Sequence, residues 1–146
     1  MQKLARIPVL NQSVPVAKIL LVDDDADDLL FLSSSFSKAS PEVRLKQAYS
    51  VREAMIYLNR LSDEQLPSLI VIDYNMPLQD GLDFLKILHE QERFRDIKKI
   101  VLSTAQSALI NKVCVEQGAD ACFTKPLKLE QYRALAERAL EEFINN

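Results

Sequence analysis

Histidine and cysteine are nearly absent from this chain of 146 residues: His89 stands alone, and Cys114 and Cys122 lie eight residues apart in no C-x-x-C arrangement. That leaves no zinc ligand set. Both cysteines read as small packed residues of a reducing compartment, and nothing near Cys122 in sequence marks it as redox-active. Basic excess is missing too. The formal charge is −3, with Lys, Arg, Asp and Glu intermixed, so no stripe exists to neutralise a run of phosphates, and a protein partner is expected rather than nucleic acid. Long apolar runs are also lacking. The start carries Lys3 and Arg6, but Pro8, Asn11, Gln12 and Pro15 interrupt it before a signal core could form, and nothing approaches a membrane span. A cytoplasmic location follows as the expectation.

What is present suits one ordinary domain, at 48% apolar and 27% charged residues, with no room for a second. Residues 1–16 show no periodicity and read as a flexible lead-in; residues 17–146 read as the domain. From there short aliphatic runs alternate with segments of helical period, which predicts repeated β-α units around a parallel sheet.

The runs expected as strands are Lys18 to Val22, Val43 to Tyr49, Ser68 to Ile72, Lys99 to Leu102 and Ala121 to Thr124. Between them fall helical stripes. Leu29, Leu30, Leu32 and Phe36 mark the first, behind a cap at Asp25 or Asp27. Ser50 to Glu53 has capping-box spacing ahead of Ala54, Met55, Leu58 and Leu61. Leu82, Leu85, Ile87 and Leu88 follow the turn at Asp80-Gly81. Leu109, Ile110, Val113 and Cys114 precede Gly118, which suits a left-handed residue past a helix end. Tyr132, Leu135, Ala136, Ala139, Leu140 and Phe143 pattern the last helix.

In an open parallel sheet, ligands bind beyond the carboxyl ends of the strands. The unusual polar residues fall at those ends: Asp23 and Asp24 after the first strand, Asp73 after the third, Ser103-Thr104 after the fourth, Lys125 after the fifth. Three neighbouring carboxylates repel unless a cation offsets them, and Mg²⁺, hard and oxygen-seeking, is the natural one. One carboxylate can then act as a nucleophile toward a phosphoryl group. Lys125 and Ser103 would meet two of the phosphoryl oxygens and the metal a third.

The segments ILLVDDD at 19–25, LIVIDYNMPLQDG at 69–81, IVLSTA at 100–105 and GADACFTKP at 118–126 resemble the receiver domains of two-component response regulators, in particular the small chemotaxis-receiver-like kind. The four pieces occur in order, each at a strand end, and span residues 18–143. The resemblance implies a flavodoxin-like (βα)5 fold, α/β and doubly wound, with five parallel strands in the order 2-1-3-4-5. It implies Asp73 as the phosphorylated residue, with Ser103 and Lys125 as its catalytic companions. It gives Asp23, Asp24, Asp73 and the Asn75 carbonyl as Mg²⁺ ligands. Backbone amides at Asn75 and Thr104 would contact the phosphoryl group, and Asn75 and Ala105 would tune its hydrolysis. Counting back from Lys125 and Gly118 without gaps selects Ser103 over Thr104 as the hydroxyl residue. Pro126 would follow a cis bond. The switch positions are Ser103 and Cys122; receivers often carry an aromatic residue at the latter, while Phe123 should point to the opposite face.

The implied function is a phospho-acceptor in phosphorelay signal transduction. It would take its phosphoryl group from a sensor histidine kinase or phosphotransfer protein, act on a downstream protein through contacts alone, and turn over no external substrate. No output domain is expected after the fifth helix. Two other readings stay open. One is a receiver-like binding module indifferent to phosphorylation, motivated by Cys122. The other is a Mg²⁺-dependent phosphohydrolase resembling the haloacid-dehalogenase group, for which Asp23-x-Asp25 is a superficial fit lacking the expected following residue and a substrate cap. Asp25, Asp27 and Asp28 read as first-turn caps or solvated charges outside the site. Asp80 reads as a helix start, and His89 as an exposed side chain.

Overall fold

Residues 16–104 and 108–145 are described in the structure, a computed structural model, so nearly all of the expected lead-in lies outside the described residues. Within them the alternation in the sequence becomes five strands and five α-helices. They are β1 (Lys18–Val22), α1 (Ala26–Ala39), β2 (Arg44–Ala48), α2 (Val51–Arg60), β3 (Leu69–Asp73), α3 (Gly81–Glu90), β4 (Lys98–Ser103), α4 (Ala108–Glu116), β5 (Ala121–Thr124) and α5 (Leu129–Phe143). Every neighbouring pair of strands is parallel, in the order β2-β1-β3-β4-β5. This is the doubly wound, flavodoxin-like arrangement expected.

Alternation along the strands divides the core in two. Leu20, Val22, Ile70, Ile72 and Val101 face Ala54 and Leu58 of α2, Phe84, Leu85 and Leu88 of α3, and Cys114 of α4. Ile19, Leu21, Leu69, Val71, Ile100 and Leu102 face the other way, against α1 (Leu29, Leu32, Phe36) and α5 (Tyr132, Leu135, Ala136, Ala139, Leu140). All five residues of β3 are buried, whereas β2 at the edge exposes Arg44 and Lys46, charges that discourage further strand pairing. With about 1.5–3 kcal/mol for each large apolar side chain fully withdrawn from water, β3 is the strand that anchors what lies at its end.

Local chemistry fixes the helix starts. Asp25 caps α1 by accepting the amides of Asp27 and Asp28 at 2.8 and 3.2 Å, an arrangement worth about 1 kcal/mol. Ser50 Oγ accepts the Glu53 amide, but the Glu53 carboxylate takes the amide of Tyr49, one residue earlier than a reciprocal box would give. Asp80 and Asp83 do form a reciprocal box at α3. A Cβ on Gly81 would sit 2.8 Å from Tyr74 Cα and 2.9 Å from Asp73 O, so glycine is required where α3 passes the end of β3. Gly118 adopts φ +103 just past α4, as its position predicts.

Two buried stripes are narrower than the sequence predicts. Leu30 is 61% exposed because it lies about 100° around α1 from Leu29, outside the Leu29-Leu32-Phe36 stripe. Leu109 of α4 is likewise exposed, and Cys114 is the buried residue of that short helix. Strand ends moved by one residue: β3 takes in Asp73, which pairs with Leu102, and β4 takes in Ser103. These two candidate residues are therefore members of the sheet, held by its register.

Candidate functional site

The strand order reverses between β1 and β3, and the carboxylates gather there. Asp23, one residue past β1, and Asp73, the last residue of β3, are 1% and 2% exposed; Asp24 beside them faces solvent. Oxygens of Asp23, Asp24 and Asp73 all lie within 4.8 Å of one another. Sheet bonds prolonged past the strands set these positions, with the Asp23 amide donating to Ala48 O at 3.1 Å and the Tyr74 amide to Leu102 O at 2.8 Å. Lys125 follows β5, where its amide donates to Ser103 O at 2.9 Å. Its ammonium reaches into the cluster, 3.0 Å from Asp23 Oδ2 and 3.2 Å from Asp73 Oδ2.

One cation does not balance this much buried negative charge. Burial, and then the charge of Asp23, raise the Asp73 carboxyl to about 7, against the pull of Lys125 and the Asn75 amide. Asp23 is raised as well, first by burial, with the Asp25 amide and Lys125 acting in the opposite sense. Burial alone would lower the Lys125 pKa, but its bonds to Asp28 and Asp23 and the charges of Asp23 and Asp73 outweigh that and hold it above the ordinary lysine value. Asp23 Oδ2 is buried, and its contact with the Lys125 ammonium at 3.0 Å lacks good hydrogen-bond geometry. An all-oxygen donor set with two buried carboxylates, both raised first by burial and only partly offset by one ammonium, fits a hard divalent cation.

The remaining candidates take varied positions. The Asn75 amide donates to Asp73 Oδ1 at 3.2 Å, and the Asn75 side chain accepts the Thr104 hydroxyl at 3.2 Å, bridging the ends of β3 and β4. Ser103 is buried at 1% exposure at the end of β4, opposite Thr124 in the register. Cys122 packs with Cys114 on the α2-α3-α4 side, while Phe123 points to the α1-α5 side with the Arg138 guanidinium 4.6 Å from its ring centre, the alternation predicted from sequence. Burial raises both thiols, Cys114 to about 11, which disfavours the reactive thiolate. Ala105 lies outside the described residues. One expectation is corrected: the Lys125–Pro126 bond is trans. Trans is favoured by about 0.5–1 kcal/mol even before proline, and the hydrogen bond that the Lys125 amide donates to Ser103 O already holds the backbone here.

Two polar residues with a defined place were overlooked in the sequence. Asp28, read there as a solvated first-turn charge, is the nearest partner of Lys125 at 2.7 Å and also accepts the Tyr132 hydroxyl at 3.2 Å. Its spacing of four from the buried Leu32 was the available signal, placing it at the site end of the α1 stripe. Lys99 is 3% exposed and donates to the carbonyls of Phe94, Arg95 and Ile97 far from the carboxylates, at the opposite end of β4. A lysine inside a strand run carries no mark of such a role.

The fold and its strand-end cluster define an α/β protein with an acidic, lysine-bearing site at the sheet's switch point. Residues 19–137 match the model of the response regulator receiver domain, and the chain belongs to that family. Two-component response regulator ORR5 of Oryza sativa subsp. japonica is 31% identical over 123 residues, covering 84% of this chain and 87% of that protein. Two-component response regulator ARR9 of Arabidopsis thaliana is 27% identical over 143 residues, 88% of this chain but 61% of the relative, so the chain spans less than two thirds of that protein. The solved structure of the phosphorylated cyanobacterial phytochrome response regulator RcpA shares the fold, with a TM-score of 0.80 at 22% identity over 89% of this chain and 95% of that one. Chemotaxis response regulator CheY4 of Vibrio cholerae gives a TM-score of 0.73 at 25% identity over 86% and 100%.

Proposed function

We propose that this receiver takes a phosphoryl group on Asp73 from a phosphohistidine of a sensor histidine kinase or phosphotransfer protein, and signals through contacts with a downstream protein. The observation that carries the reading is the Lys125 ammonium 3.2 Å from Asp73 Oδ2 in a buried acidic cluster at the switch point. Asp73 would attack phosphorus with a carboxylate oxygen as the phosphorus–nitrogen bond breaks and its electron pair leaves on the imidazole, giving an acyl phosphate on the chain. Lys125 would meet one phosphoryl oxygen and the Ser103 hydroxyl another, with the amides of Asn75 and Thr104 as further donors. Asp23, Asp24, Asp73 and the Asn75 carbonyl would hold Mg²⁺, which when bound neutralises charge on the phosphoryl oxygens. Water later hydrolyses the acyl phosphate, at a rate that Asn75 and Ala105 would tune, so that no external substrate is turned over.

A cytoplasmic location accords with such partners, and among the described residues no helix is long and apolar enough to cross a membrane. Residues 1–16 are proposed as a lead-in to the receiver domain at 17–146. Acetyl phosphate with Mg²⁺ tests the central step. One phosphoryl group should appear by mass spectrometry, map to Asp73, and be lost in Asp73→Asn or on chelation; a group mapping elsewhere overturns the assignment.

A further inference from the structure

Lys125 is shared among three carboxylates, and the nearest of them, Asp28 at 2.7 Å, is outside the group that could hold a metal. Asp28 also faces a second way. One of its oxygens meets Lys125 and the other accepts the Tyr132 hydroxyl, whose ring is 5% exposed in the core between α1 and α5, with its centre 5.5 Å from that of Phe31. The contacts therefore run without a break from Asp73 through Lys125 and Asp28 to an aromatic pair in the α1-α5 seam.

We propose that Asp28 is a positioning residue that holds Lys125 while Asp73 is unmodified, and that through Tyr132 it reports the modification of Asp73 to the α1-α5 seam. The inference rests on the receiver reading above. An ammonium has three protons, and a phosphoryl oxygen on Asp73 is a fourth claimant for them. Asp23 and Asp73 would turn toward a bound cation, so the contact that must weaken for Lys125 to engage the phosphoryl group is the one to Asp28. Once released, Asp28 keeps Tyr132 as its remaining donor, and the geometry of that bond, at the first turns of both helices, must adjust. The route uses a ring that the sequence provides, whereas the expected switch position holds Cys122.

Beryllofluoride, a phosphoryl analogue, tests this by calorimetric titration at saturating Mg²⁺. Asp28→Asn removes the competitor for Lys125 and should bind it about fivefold more tightly, the scale set by one partly exposed ion pair. Tyr132→Phe keeps the ring but makes Asp28 depend more on Lys125, so binding should weaken, by about twofold. These opposite signs distinguish the relay from a merely structural role, which would weaken both. In wild type labelled with 3-fluorotyrosine, the fluorine resonance missing from Tyr132→Phe should move on titration, and in Asp28→Asn it should stay. Beryllofluoride binding to wild type with a stationary Tyr132 resonance, or equal affinities in all three proteins, overturns this inference alone. If wild type binds no beryllofluoride, the receiver reading falls and this inference with it.

Discussion

Lys125 Nζ lies 3.2 Å from Asp73 Oδ2, and the carboxylate it faces is 2% exposed, so the ammonium stands inside the cluster and substitutes for part of the water that would otherwise solvate the carboxylate's charge. The substitution is incomplete, since Asp73 remains raised to about 7 by burial and by Asp23. A neutral amide of the same shape should relieve that strain. Without divalent cations, Asp73→Asn is expected to be more stable than wild type by about 1 kcal/mol. Adding Mg²⁺ should stabilise wild type, by ~2.7 kcal/mol at a hundredfold excess over its Kd, and the variant by less. Urea unfolding with and without chelator measures both, and a variant less stable than wild type in chelator would count against a repulsive cluster.

Leu78 offers a gain of a different kind. It holds φ +69 in the turn between β3 and α3, a region costly for a branched side chain, and that side chain is fully exposed. Nothing is packed that a smaller residue would lose. Leu78→Gly removes about 1–2 kcal/mol of backbone strain and returns part of it through the freer unfolded chain, for a net gain of about 0.5 kcal/mol. A thermal midpoint that falls instead would show that the turn is not strained at this residue.

Much of this architecture was legible because strand ends and site coincide. β1 ran from Lys18 to Val22 as read, and the polar residues at the ends of β1, β3, β4 and β5 drew attention to one edge of the sheet before any geometry was known. The parts that stayed hidden share a cause. Periodicity could place Asp28 at the site end of the α1 stripe but not name its partners Lys125 and Tyr132, distant in sequence, and it carries no information about the turn carbonyls that Lys99 meets. Leu30 misled in the opposite direction, because an aliphatic residue beside a buried stripe looks the same in sequence whether the stripe is wide or narrow.

Lys99 should matter for stability alone. Its ammonium closes the carbonyls of Phe94, Arg95 and Ile97 at 2.8, 3.2 and 2.7 Å, compensating a burial that pulls its pKa below the ordinary lysine value. Lys99→Met preserves length and removes every donor, stranding buried acceptors at a cost of about 2–4 kcal/mol. The labelling of Asp73 by acetyl phosphate should be unaffected in the folded variant, because Lys99 lies at the other end of β4 from Ser103. A change below 1 kcal/mol in urea unfolding would mean that water replaces the lysine at little cost.

Tyr132 gives the chain a specific weakness at alkaline pH. Burial raises its phenol to about 12 from an ordinary value of 10.0, assisted by the charge of Asp28 and the hydrogen bond to it, while Lys125 acts in the opposite sense. A raised pKa means that the folded state keeps the proton after the unfolded chain has released it. The contribution is therefore whole below pH 10 and lost as pH rises from about 10 through about 12. Its full size is on the order of 2 kcal/mol. Tyr132→Phe has no proton to lose, so its stability should decline less steeply over that interval than wild type, although it starts lower for want of the bond to Asp28. Urea unfolding at steps between pH 9 and pH 12 reads the difference directly, and parallel curves for the two proteins would show that the hydroxyl is not held by Asp28 in solution.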